Sequence, residues 1–123
     1  MAKIIRLAVL WLGVLLVGCG PNTIFVRPGL DTPAQHVTNG HQLLQRGKVE
    51  DACREFNRAK ELDPLFVKAY IGLGVALGHK GELSAGMSAM DQANRLASNP
   101  QELSEVREGY EQLNTLKRKS VSQ

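Results

Sequence analysis

The chain has 123 residues, 43% of them hydrophobic and 5% aromatic, with a formal net charge of +3. That length holds one small domain and excludes a two-domain enzyme built around a deep cleft. Two cations, Lys3 and Arg6, sit at the extreme N-terminus, and without them the charge falls to +1, which leaves no basic surface for nucleic acid.

Lys3 and Arg6 precede the uninterrupted apolar run "LAVLWLGVLLVG", from Leu7 to Gly18. A positive start followed by twelve apolar residues suits a secretory signal, because crossing a bilayer takes about 20. A short membrane helix left uncleaved is the alternative. The run ends in Leu16, Val17, Gly18 and Cys19, and these four resemble the lipobox of bacterial lipoprotein signal peptides. The resemblance implies cleavage between Gly18 and Cys19 and lipidation of the Cys19 sulfur; the competing reading is an ordinary small-residue cleavage site with an incidental cysteine. Each buried methylene of an acyl chain contributes ~0.8 kcal/mol, so two or three chains hold a protein where one holds it only marginally. Gly20, where an aspartate would retain such a protein at the inner membrane, implies the periplasmic side of the outer membrane.

Residues 1–18 are thus expected to be a signal peptide, and 19–32 a lipidated cysteine and tether. The stretch "GPNTIFVRPGLDTP" is rich in Pro, Gly and Asn and has no helical period. Ile24, Phe25 and Val26 stand out within it, either docking back onto the domain or serving as a short partner-binding strand. With Cys19 lipidated, Cys53 is left unpaired, and apolar packing is its expected role. No flanking motif would depress the pKa of its thiol.

From Pro33 onward the sequence repeats itself. A shift of 34 residues aligns Gly40 with Gly74, Leu43 with Leu77, Gly47 with Gly81, Ala59 with Ala93 and Leu62 with Leu96. Ala69, Tyr70, Leu73, Ala76 and Leu77 recur at helical steps, Gly81 breaks that helix, and Leu83, Met87, Met90 and Ala93 form a second apolar stripe. Gly40 and Gly74 on the first helices, and Ala52 and Gly86 on the second, are expected where two backbones pass closely. A last helix follows. Asn99 is its N-cap, Pro100 its first residue and Glu102 the partner in a capping box, with Leu103, Val106, Tyr110 and Leu113 as its apolar stripe. Lys117, Arg118 and Lys119 close it, as a solvated basic helix end or as a membrane contact.

The order of small, bulky, turn and alanine positions at this period resembles the tetratricopeptide repeat. It is carried by Gly40, Leu43, Gly47, Ala52, Phe56, Ala59 and Pro64 in one copy, and by Tyr70, Leu73, Gly74, Leu77, Gly81, Gly86, Met90 and Ala93 in the next. The resemblance implies an all-α fold: one helical hairpin over 33–66, a second over 67–100, a capping helix over 101–118 and a tail over 119–123. His36, Asn39 and Ser98 depart from the family pattern, which would leave the first repeat looser on one side.

No catalytic or metal-binding pattern emerges from these residues. His36 and His41 lie about 140° apart on a helix and cannot share one metal from one face. Cys53 has no Cys or His at ligand spacing, and neither a phosphate loop nor a nucleophile elbow is present. The expectation is therefore no enzyme, no cofactor and no metal. The family resemblance instead implies a concave groove lined by the first helix of each hairpin, here Val37, His41, Leu44 and Gln45 from one copy and Lys68, Ile71, Val75, Gly78 and His79 from the other. Val37 and His41 stand where a carboxylate clamp would require lysine and asparagine. The expected partner is a protein or peptide segment, such as a component of an envelope, pilus or secretion assembly, bound by an adaptor held at the membrane through its lipid. The alternative is a self-associating structural lipoprotein with no distinct client.

Overall fold

The computed structural model describes residue 29 and residues 31–123, and five α-helices lie among these described residues. The expected signal peptide, Cys19 and the segment Ile24 to Val26 lie outside the described residues. The helices are α1 (Pro33–Gln45), α2 (Val49–Leu62), α3 (Val67–Lys80), α4 (Leu83–Leu96) and α5 (Pro100–Val121), with no strand among the described residues. The last helix therefore runs past the expected 101–118 at both ends.

The sequence period of 34 reappears in the backbone hydrogen bonds. At the end of α1, Gly47 N–H donates to Leu44 O and Lys48 N–H to Leu43 O; at the end of α3, Gly81 N–H donates to Gly78 O and Glu82 N–H to Leu77 O. Both turns need a positive φ, 71° at Gly47 and 91° at Gly81, which glycine adopts without a Cβ penalty. The same correspondence holds where α2 and α4 end, with Asp63 N–H bonding Ala59 O and Ala97 N–H bonding Ala93 O. Thr32 caps α1 through its hydroxyl, and Asn99 caps α5 by accepting from Glu102 N–H at 2.9 Å. The reciprocal half of the expected capping box goes one residue further back: the Glu102 carboxylate accepts from Ser98 N–H at 2.8 Å, and this holds its pKa down.

Helix α1 packs on α2, α2 on α3 and α3 on α4, while α5 lies against both α3 and α4. Because α3 likewise touches both α1 and α2, α5 stands to the second hairpin as α3 stands to the first. Helix α3 is consequently buried nearly all round, with Val67, Ala69, Leu73, Val75 and Ala76 all inside. It joins two apolar clusters. One gathers Ala52, Cys53, Phe56 and Ala59 against Ala69, Leu73 and Ala76; the other gathers Met90 and Ala93 against Val67, Val75, Val106 and Leu113. Phe56 and Met90 are fully buried, and each such side chain contributes about 1.5–3 kcal/mol relative to exposure.

Glycines set how closely these layers approach. A Cβ on Gly74 would stand 2.9 Å from Gly86 O, and one on Gly86 would stand 2.8 Å from Gly74 O, so α3 and α4 do pass backbone to backbone. Gly40 works differently from what its alignment with Gly74 implies. Its missing Cβ makes room for the Phe56 ring, 2.6 Å from where that atom would be.

Three other expectations are corrected. Leu103 is 43% exposed and leaves the stripe of α5, where Gly109 joins Val106 and Leu113 among the buried residues. Met87 is also exposed rather than part of the buried face of α4. The first hairpin is not loose at His36 and Asn39: the His36 ring lies 2.8 Å from both the Asp31 and Glu55 carboxylates, and Asn39 donates to the same Glu55 oxygen. Arg58 reaches Asp31 at 2.8 Å, so Asp31, placed in the tether by sequence, is fastened to the first hairpin.

Candidate functional site: a hollow between α1, α3 and α5

Along α3, Lys68, Ile71, Val75 and His79 recur at steps of three and four, which places them on one helix face. That face is flanked by α1 on one side and α5 on the other. Two adjoining hollows result. The first, of about 260 Å³, is lined by His41, Lys68 and Ile71 together with Glu105, Glu108 and Gln112. The second, of about 370 Å³, is lined by His41, Leu44, Gln45, Ile71, Val75, His79 and Gln112. They share His41, Ile71 and Gln112, and the depression they form follows α3 from Lys68 to His79, roughly 16 Å at 1.5 Å per residue.

Seven of the nine groove residues expected from sequence are thus brought together: His41, Leu44, Gln45, Lys68, Ile71, Val75 and His79. Val37 is not among them. It is 7% exposed and packs in the Phe56 cluster, because α1 turns that position toward α2 and α3. Gly78 is also withdrawn from the surface, since the space beside it is filled by Leu113 and Leu116 of α5.

Sequence reasoning missed the third wall, made by Glu105, Glu108 and Gln112. The signal was present: one further step of 34 carries Ile71 to Glu105, Val75 to Gly109 and Gly78 to Gln112.

The floor of the hollow is apolar and its rims are polar. Lys68 and Glu105 bridge α3 and α5 at 3.4 Å, with half of the lysine side chain in water. An ion pair so exposed adds little stability. The His41 ring stands edge-on to Phe56, centroids 5.2 Å apart and planes at 73°, a favourable aromatic geometry. Lost solvation on that side, and next the Lys68 ammonium, hold the His41 pKa below its usual value, so the ring is neutral at pH 7.

The residues that sequence singled out for chemistry do not converge. Cys53 is buried and has no disulfide partner among the described residues, and burial, followed by the Glu50 charge, pushes its thiol pKa up, away from the reactive thiolate. Among the described residues, no group of three or more His, Cys, Asp or Glu side chains could hold a metal ion. No helix among them is long and apolar enough to cross a membrane.

Over the described residues these observations define an all-α fold of recurring helical hairpins, with a shallow hollow along its central helix. Compared with known proteins, the chain matches no family model, and no curated protein is significantly similar to it.

Proposed function

We propose that this chain is a lipoprotein of tetratricopeptide-repeat type, anchored through Cys19 at the periplasmic side of the outer membrane, that acts by binding a segment of another protein in the hollow along α3. The observation that carries this reading is the depression itself: an apolar floor of Leu44, Ile71 and Val75 between polar rims on α1 and α5. A narrow trough with those properties suits an extended or helical peptide, whose alternate side chains enter it while its backbone stays at the rim. The adaptor performs no bond-making of its own. The client belongs to an envelope, pilus or secretion assembly.

Self-association is the weaker reading. The outward side of α5 presents Arg107, Glu111, Thr115 and Arg118 to water, a surface that would lose its solvation if another copy stacked on it. In-cell photo-crosslinking tests the proposal. A crosslinker at His41 should give a discrete adduct with one other protein, and one at Arg54, which lies outside the hollow, should not. Equal adducts from both positions would overturn the reading.

A further inference from the structure

We infer that the segment bound in this hollow is cationic as well as apolar, carrying a Lys or Arg that sits against Glu108; the inference rests on the groove reading above. Charge on the rims decides it. Lys68 is already tied to Glu105 across the first hollow, and His41 is neutral at pH 7, so neither provides a free cation there. Glu108, exposed on the same wall, has no cationic partner among the described residues. The first hollow therefore presents one unbalanced negative charge beside the apolar floor of Ile71. Five residues of extended chain, at about 3.3 Å each, cover the length of the trough. A short stretch with two large apolar residues and one cation fills both hollows and balances that charge, whereas an acidic segment would meet Glu108 with like charge.

The chain's own Ile24, Phe25, Val26 and Arg27 share this composition, so the test must separate them from a second protein. Random octapeptides displayed on phage are selected on the full chain held in non-ionic detergent. Peptides with a Lys or Arg beside large apolar residues should be enriched, and individual ones should bind about two- to fivefold tighter than the same peptide with Glu in that place, the range of a partly exposed ion pair. Selection on Glu108→Lys should reverse the preference toward Asp or Glu. Enrichment of apolar peptides without a charge preference would overturn the inference and leave the groove reading standing. No difference between the wild-type chain and Gln112→Trp, which fills the hollow from its exposed rim without touching the core, would overturn both. Enrichment that appears only when residues 24 to 27 are replaced by serine would make the chain's own segment the occupant and overturn the proposal of a cationic partner.

Discussion

The Phe56 ring occupies the space that a methyl group on Gly72 would need, and the same ring atoms fill the place of a Cβ on Gly40. One aromatic ring on α2 is thus seated against two glycines, one from each neighbouring helix. Met90 repeats the arrangement one period later, between Gly74 of α3 and Gly109 of α5, with the Met90 methyl 2.6 Å from where a Gly109 Cβ would be. Spacing of α1, α3 and α5, and hence the width of the hollow, depends on these contacts.

Replacing Gly72 by alanine should therefore destabilise the fold. Overpacking costs about 1–3 kcal/mol, and the better helix propensity of alanine returns up to about 1. A thermal midpoint lower by several degrees is expected, with part of the loss recovered in Gly72→Ala combined with Phe56→Leu. An unchanged midpoint in the single variant would contradict the role assigned to the ring.

A turn glycine should respond differently. Nothing lies within 4 Å of a Cβ on Gly81, so Gly81→Ala introduces only the strain of positive φ. A loss of about 1 kcal/mol in urea unfolding is expected, and a smaller one for Gly81→Asn, which tolerates that conformation. Equal losses would point to a contact beyond the turn.

The cluster around His36 gives the fold a pH dependence. Burial alone would lower the His36 pKa, but hydrogen bonds to Asp31 and Glu55 outweigh it and the net shift is upward. A raised folded-state pKa means that this stabilisation is complete below the unfolded value of about 6.5 and is lost as pH rises through the folded one. The cause is visible in the geometry. Both ring nitrogens face carboxylate oxygens, and a neutral ring donates from only one of them. Asp31 shifts the other way: its hydrogen bonds to Arg58 and then His36 lower its pKa, so its contribution is present above about 3.9 and lost as pH falls through the folded value. Stability should be greatest between those limits, and His36→Gln should remove the decline expected as pH rises above about 6.5. A variant that declines as steeply as the wild type would remove His36 from the explanation.

Much of the fold was legible because duplication leaves two copies of each constraint. Gly47 and Gly81, Ala59 and Ala93, and the small residues at 74 and 86 each announce a turn or a close approach through a recurring spacing. What escaped sequence reading depends on the third dimension. Gly40 aligns with Gly74, yet the first meets only the Phe56 ring, whereas the second meets the Gly86 carbonyl as well as the Met90 methyl. Val37 reads as a groove residue by analogy with Ile71, but its side chain packs into the Phe56 cluster between α1, α2 and α3. His36 and Asn39 looked like losses of apolar packing; their carboxylate partners, Glu55 on α2 and Asp31 before α1, are 19 and 5 residues from His36 and do not share a motif with it.

The anchor is tested separately from the domain. Metabolic labelling with a fatty-acid probe should mark the wild-type chain and vanish in Cys19→Ala, while Cys53→Ala keeps the label. Persistence of the label without Cys19 would contradict the lipid assignment.

The most direct measurement is methyl NMR of the full chain titrated with a cationic apolar octapeptide selected as above. The account predicts that shifts concentrate on the Leu44, Ile71 and Val75 methyls and leave Leu65 in place, although Leu65 is 71% exposed. Shifts centred on Leu65 or Val121, with those three methyls unmoved, would contradict it.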